Sequence, residues 1–241
     1  MDHPCVCKAL FINTSETIEI ANKNQTEKVT TISLFLEFLD FNIKDFLSSN
    51  FCTNTMKAKI IVEIVHAMKF IHKCGMIHRD LKIENIMLNS ILEAKIVDFG
   101  LVKISDAFES MTKGIGTLAY MSPEMLNEED YDNKTDVYSF GVILYFIFFG
   151  VIPKQSMKDK AAGKKIKIPS DSDKISEFGV KLMQKCLKPN HSHRPSFEKL
   201  LSELRNNSYK LAGGIDSLLV KQRDDQLEMI EKKKEKRKKV N

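Results

Sequence analysis

Eight consecutive residues, His78-Arg79-Asp80-Leu81-Lys82-Ile83-Glu84-Asn85, carry most of the chemical information in this chain, and Asp98-Phe99-Gly100 follows with Asp98 eighteen positions after Asp80. The pattern supplies an Asp, a Lys, an Asn and a second Asp at the spacing that phosphoryl transfer from a nucleotide requires. One carboxylate must meet the hydroxyl that receives the phosphoryl group. An ammonium must neutralise charge on the moving group. A carboxamide and a carboxylate must hold Mg²⁺. Each piece alone is a common short string; together, in this order, they point to one chemistry.

The elements that must position these groups can be read around them. Ile60, Ile61, Ile64, Val65, Met68 and Ile71 recur at three and four residues, which predicts a helix capped by Asn54 or Thr55 and stopped by Gly75. Two short strands, Ile86 to Leu88 and Ala94 to Val97, are predicted with a turn through Asn89-Ser90. That hairpin puts Asn85 and Asp98 at adjacent strand ends, so both can converge on one ion. Residues 5 to 12 and 29 to 36 read as strands. The polar stretch from Asn13 to Lys28 reads as a long loop or hairpin connection, and Asp45 to Leu47 as a short helix. Asp98 to Glu124 shows no helical period and reads as a long ordered loop. Lys134 to Phe149 is apolar on most sides, as a buried helix is; Ile175 to Leu187 and Ser196 to Arg205 are amphipathic helices, with Pro189 and Pro195 bracketing the turn between them.

Composition narrows the functional classes. The chain has 241 residues, of which 43% are hydrophobic, enough for one sizeable core. Its net charge of +5 equals the balance of residues 231 to 239 alone, where seven Lys or Arg stand against two Glu. The remainder is neutral, so no specific nucleic-acid-binding body is indicated; a basic tail is, with an acidic partner or an anionic membrane as its expected contact and a solvated helix end as the plainer reading. The longest apolar stretch, Phe140 to Ile152, is too short to span a bilayer, so no transmembrane segment is expected. No secretory signal opens the chain, and five cysteines without a CxxC pair fit a reducing, cytoplasmic setting. Cys186 with His191 and His193 lacks a fourth metal ligand, and His66 and His72 read as packed helix residues. Gly114 to Ala119 fits a G-x-G-x-x-A search but follows no strand and opens no helix, so it is not a dinucleotide site.

Set together, His78-Arg79-Asp80, Asp98-Phe99-Gly100, Gly116-Thr117, Ser122-Pro123-Glu124, Asp136-Val137-Tyr138-Ser139-Phe140-Gly141 and Arg194-Pro195 occur in the order of the eukaryotic protein kinase family, which the chain resembles from about Leu34 to about Arg205. Lys82, two residues after Asp80, is similar to the Ser/Thr-directed pattern, and the surroundings of Asp136 to the tyrosine-kinase-like group. The resemblance implies an α+β fold: a mainly helical large lobe over 41–207, a truncated small β lobe with the hinge over 1–40, and a charged tail over 208–241. It implies ATP and Mg²⁺ as cofactors and a protein substrate. Asp80 resembles the catalytic base, Lys82 the residue that neutralises the transferring phosphoryl group, and Thr117 the residue that bonds this pair and shapes the pocket beyond the acceptor. Asn85 and Asp98 resemble the Mg²⁺ ligands. Glu37-Phe38-Leu39 is similar to the adenine-binding hinge, Leu36 to the residue at its back, and Met87 to the apolar floor under the base. Phe99 and His78 would join the apolar stack that supports the active arrangement, Asp136 would anchor the catalytic-loop backbone, and Glu124 would pair with Arg194.

The family pattern breaks before residue 40. No G-x-G-x-x-G is found there, and no strand Lys with a partner Glu; Lys8 is followed by too short an interval, and His3-Pro4 better resembles the turn after that helix. Three explanations stay open: a truncated copy of a full kinase, a kinase-like module that binds partners without turnover, or a small lobe completed by another chain. Ser105, Ser110 and Thr112 are candidate phosphosites, since Arg79 could pair with a phosphate there.

Overall fold

The computed structural model describes residues 2–22, 25–98, 118–169 and 174–240, with side chains outside 14–32, 209 and 238–240. Its centre is α2 (Asn54–Lys73). Thr53 caps it, not Asn54 or Thr55, because the Thr53 hydroxyl accepts the Met56 N–H at 3.3 Å. Ile60, Ile61, Ile64, Val65, Met68 and Ile71 are all buried, as their spacing predicts. The helix ends where Gly75 takes a φ of +75°, a conformation open to a residue without Cβ.

Around α2 stand α1 (Ile43–Leu47), α3 (Pro123–Leu126), α4 (Lys134–Phe149), α5 (Met157–Ala161), α6 (Glu177–Cys186), α7 (Phe197–Arg205) and α8 (Ser217–Val240). α4 is buried on nearly every side, as its apolar run from Phe140 requires. It packs against α6. Gly141 permits that approach: a Cβ there would meet the Leu187 side chain at 2.8 Å. α2 is flanked by α7 and α8.

Two small sheets complete the fold. β3 (Phe41–Asn42), β4 (Ile86–Leu88) and β5 (Ala94–Ile96) form one antiparallel sheet in that order. β1 (Ala9–Asn22) and β2 (Gln25–Leu36) form an antiparallel ribbon running from Ala9 opposite Leu36 to Asn22 opposite Gln25. This corrects the sequence expectation for Asn13 to Lys28, which is strand almost throughout. The polar composition conceals the alternation Thr17-Ile18-Glu19-Ile20 and the β-branched run from Val29, both of which suit a ladder. The start of the expected first strand is also different. Cys5 to Cys7 are buried against β5, with Val6 bridging Ile96 in parallel, and the ribbon begins only at Ala9.

The ribbon is apolar and exposed near its base. Leu10, Phe11, Ile12, Leu34, Phe35 and Leu36 are each more than two-fifths exposed, and the Phe11 and Phe35 rings stack 4.0 Å apart.

The segment after residue 208 is no free tail over its first half. Val220 and Leu227 of α8 are fully buried, and a chain of charges seals them against α2. Arg223 Nε donates to Glu63 Oε1 at 2.6 Å, and Glu63 Oε2 accepts the Ala94 N–H. His66, expected to be an ordinary packed residue, lies between two carboxylates: Nε2 is 2.8 Å from Asp224 and Nδ1 is 2.7 Å from Glu231. Lys69 also reaches Glu231 at 2.6 Å, and Arg205 reaches Asp224 at 3.0 Å. Lys232, Lys233, Lys236 and Arg237 remain exposed. No described helix is long and apolar enough to cross a membrane.

Candidate active site

The loop between α2 and β4 carries Asp80, Lys82 and Asn85, and it is fixed from beneath by α4. Asp136, on the first turn of that helix, is fully buried. Its carboxylate accepts the backbone N–H groups of His78 and Arg79, both at 2.9 Å, and the Nε2 of His72 at 2.8 Å. Three charge-assisted bonds to one buried anion are strong constraints. They hold Arg79 at a φ of +68°, a backbone state that a non-glycine residue keeps only when its surroundings impose it. Leu81 and Ile83, both fully buried, pin the next turn to the core.

The chemical groups then face one another. Lys82 Nζ donates to Asp80 Oδ2 at 2.7 Å. Asn85 Nδ2 donates to the Asp80 carbonyl at 2.8 Å and to Asp80 Oδ2 at 3.1 Å. These bonds set which end of the Asn85 carboxamide is which: the nitrogen is turned to Asp80, so Oδ1 points the other way. Asn85 also accepts the Val97 N–H through its carbonyl at 3.0 Å, and the Val97 carbonyl lies 3.3 Å from His78 Nε2. Asp98, the next residue, is exposed at a φ of +56°. The hairpin therefore delivers Asp98 one residue beyond a direct bond to Asn85. A carboxamide oxygen and a carboxylate form a hard oxygen donor set, which suits Mg²⁺.

The hinge segment is fastened separately. Asp40 donates its N–H to the Leu88 carbonyl at 3.0 Å, which sets 37–39 beside β4 and Met87. Glu37 accepts Lys95 Nζ on both carboxylate oxygens at 2.7 Å and the Lys8 N–H at 2.7 Å, while its own N–H bonds the Lys8 carbonyl. Leu39 and Met87 are half-buried.

The chain matches the model for the protein kinase domain over residues 11–204. It belongs to the protein kinase family. Among similar proteins, a probable LIM domain-containing serine/threonine-protein kinase of Dictyostelium discoideum is 35% identical over 158 residues, 63% of this chain and 24% of that protein. An RGS domain-containing serine/threonine-protein kinase of the same organism is 36% identical over 157 residues, 61% of this chain and 13% of that protein. A serine/threonine/tyrosine-protein kinase of Arabidopsis thaliana is 31% identical over 150 residues, 61% of this chain and 38% of that protein. The chain thus spans well under half the length of each of these relatives.

Within this kinase fold, the structure gathers Asp80, Lys82 and Asn85 and puts Asp98 beside them through the β5 strand end. Thr117, Phe99 and the three candidate phosphosites, Ser105, Ser110 and Thr112, lie outside the described residues. Glu124 and Arg194 form the paired contact the family resemblance implies, at 2.6 and 2.8 Å, both buried. Arg194 spends its remaining donors on the carbonyls of Lys134, Lys188 and Pro189. Burial opposes the charge on Glu124, but the hydrogen bonds and charge of Arg194 outweigh it and hold the carboxyl below its ordinary range.

Sequence reasoning missed two groups. The Glu37–Lys95 contact joins residues 58 apart, and neither residue type signals the other. Lys160, on α5, is 2% exposed and donates to the Leu118 and Ala119 carbonyls; only the identity of its neighbours in space could have revealed it.

Proposed function

We propose that this chain carries the catalytic floor of a Ser/Thr-directed protein kinase, which transfers the terminal phosphoryl group of ATP to a protein hydroxyl. The observation that supports this best is the convergence of Lys82 Nζ and Asn85 Nδ2 on Asp80 Oδ2. Asp80 Oδ2 is thereby held, and Oδ1 is the oxygen that meets the acceptor hydroxyl. A carboxylate is too weak a base to remove that proton early, so Asp80 acts mainly by orientation and takes the proton late. Lys82 stands within reach of the same carboxylate, where its ammonium offsets charge on the transferring oxygens. Asn85 Oδ1 and Asp98 would hold Mg²⁺, which supplies charge neutralisation at the phosphate oxygens. The Glu37 carbonyl and the Leu39 backbone groups would meet adenine, with Met87 beneath the base; the Glu37 N–H is already committed to Lys8. Thr117 would bond the Asp80–Lys82 pair. The basic run 232–239 would contact an acidic partner or an anionic membrane.

A second reading, a kinase-like interaction module without turnover, is favoured by one observation: within residues 1–36 no Gly-rich strand pair is found, so these residues offer no Gly-rich cover for the α and β phosphates. Mg-ATP binding and transfer separate the two. If the chain binds nucleotide, Mg-ATP at one hundred times its dissociation constant stabilises it by about 2.7 kcal/mol. Radiolabel should then pass from ATP to a Ser/Thr peptide library, and Asp80→Asn should lower that rate about 10²–10⁴-fold while the Mg-ATP shift in Tm persists. Absence of both the shift at millimolar ATP and any transfer sinks the enzyme reading and leaves the module.

A further inference from the structure

The residues that follow Thr117 are bolted to the large lobe at four points. The Tyr120 carbonyl accepts Ser139 Oγ at 2.9 Å, Ser122 and Thr135 hydroxyls meet at 2.8 Å, and Glu124 pairs with Arg194. The fourth bolt is Lys160 from α5, whose Nζ donates to the carbonyls of Leu118 at 3.3 Å and Ala119 at 2.5 Å. The first three use groups that are neutral or matched in charge. Lys160 has no carboxylate partner among the described residues. Its ammonium lies 5.5 Å from the Tyr138 ring centre, and that ring also carries the Arg194 guanidinium at 5.0 Å. Burial pushes its pKa down to about 8.

A buried cation without a counter-charge is a net burden on folding, and an apolar side chain of the same length would fill the slot on α5. What the ammonium alone supplies is attraction for two successive carbonyls in a stretch with no strand partner of its own. We propose that Lys160 is a positioning residue for the protein acceptor: it draws the Leu118–Ala119 backbone down onto α5 and so sets the surface against which the residues beside the acceptor hydroxyl lie. This rests on the kinase reading of the site for its functional half, and on geometry alone for its structural half.

The test uses the full chain with Lys160→Met and, because Met leaves two carbonyls unmet, Lys160→Gln, which keeps a donor and carries the test if the Met variant does not fold. Hydrogen exchange of amides 118–122 should accelerate about tenfold or more in Lys160→Met and less in Lys160→Gln. The Tm should stay within about 2 °C of the parent, since removing the buried charge offsets the lost bonds. In peptide phosphorylation, KM for the peptide should rise about tenfold with KM for ATP unchanged. Unaltered exchange at 118–122 in a folded variant overturns the proposal, as does a joint rise of both KM values with a general loss of stability. If the parent chain transfers no phosphate, the kinase reading falls by itself, and the exchange experiment alone decides whether Lys160 holds this segment.

Discussion

The loop that carries Asp80, Lys82 and Asn85 and the β1–β2 ribbon lie on either side of residues 37–39 in the sequence and obey opposite rules. Under the loop, two buried charged groups are fully used: Asp136 takes three donors, and Arg194 uses its whole guanidinium. At the base of the ribbon, apolar groups are exposed, and Phe11 stacks on Phe35. The helical part closes its own core, and Asp136 fixes the backbone of the 78–85 loop from within it. The base of the ribbon keeps its apolar side chains exposed, beside strand edges that other chains can pair with. The two regions therefore offer unlike surfaces: a rigid floor of bonded polar groups, and a ribbon whose base is apolar and open.

The sharpest way to break the comparison is to leave the floor's charge unmatched. Arg194→Met strands Glu124 beside Tyr138 and should lower unfolding free energy by about 3–5 kcal/mol, measured by urea denaturation. Freed of Arg194, the Glu124 carboxyl loses what held its pKa down, so the deficit should shrink as pH falls. A loss under 1 kcal/mol would mean that this pair does not hold the large lobe together.

How much of this was legible beforehand follows from distance along the chain. Asp80, Lys82 and Asn85 lie within six residues, so their mutual contacts are local and the string itself announces them. The limits of α4, Lys134 and Phe149, were readable because a buried helix has one kind of residue on all sides. The ribbon was misread because Asn13 to Lys28 is polar in composition, and composition outweighed a short alternation. The docking of α8 was hidden for a different reason. Its apolar stripe is thin, and much of its hold comes from ions such as Asp224, which meets His66 at a separation of 158 residues. Lys160 was illegible because a Lys on a short helix is exposed by default; its burial is decided by two carbonyls some forty residues away.

The α2–α8 seam tests whether paired burial of charge holds beyond Asp136 and Arg194. His66 faces carboxylates through both ring nitrogens, and Asp224 and Glu231 are each claimed by a further cation, Arg205 and Lys69. His3 Nε2 also reaches Glu231 at 3.3 Å, and Arg205 reaches Glu228. Only a doubly protonated imidazole donates to both sides. Burial pulls the His66 pKa down, but the bonds to Asp224 and Glu231 outweigh it and hold it above the ordinary value. The sign follows: a raised folded pKa gives stability that is complete below the unfolded pKa of about 6.5 and is lost as pH rises through the folded pKa. His3, lowered by burial despite Glu231, works in the opposite sense and only below that range. Hydrogen exchange along α8 should therefore accelerate above pH 6.5 by more than the intrinsic rate, and His66→Gln should remove that excess while costing about 1.5–3 kcal/mol at pH 6. A pH-independent seam would mean that His66 is neutral and one carboxylate carries the proton instead.

The smallest effect is expected where the ribbon is weakest. Phe11 is 56% exposed and stacks on the Phe35 ring, itself 43% exposed. Removing one ring forfeits an aromatic pair of about 0.5–1.5 kcal/mol, part of which remains as solvent contact. Phe11→Ser should thus change unfolding free energy by less than about 1 kcal/mol, against about 2–5 kcal/mol for a core truncation such as Ile61→Ala. The same substitution should lower any self-association seen by sedimentation, because it removes apolar surface next to an open strand edge. A cost of 3 kcal/mol or more for Phe11→Ser in the isolated chain would mean that the ribbon face is covered in solution, and the contrast between bonded floor and open ribbon would then be wrong at the ribbon.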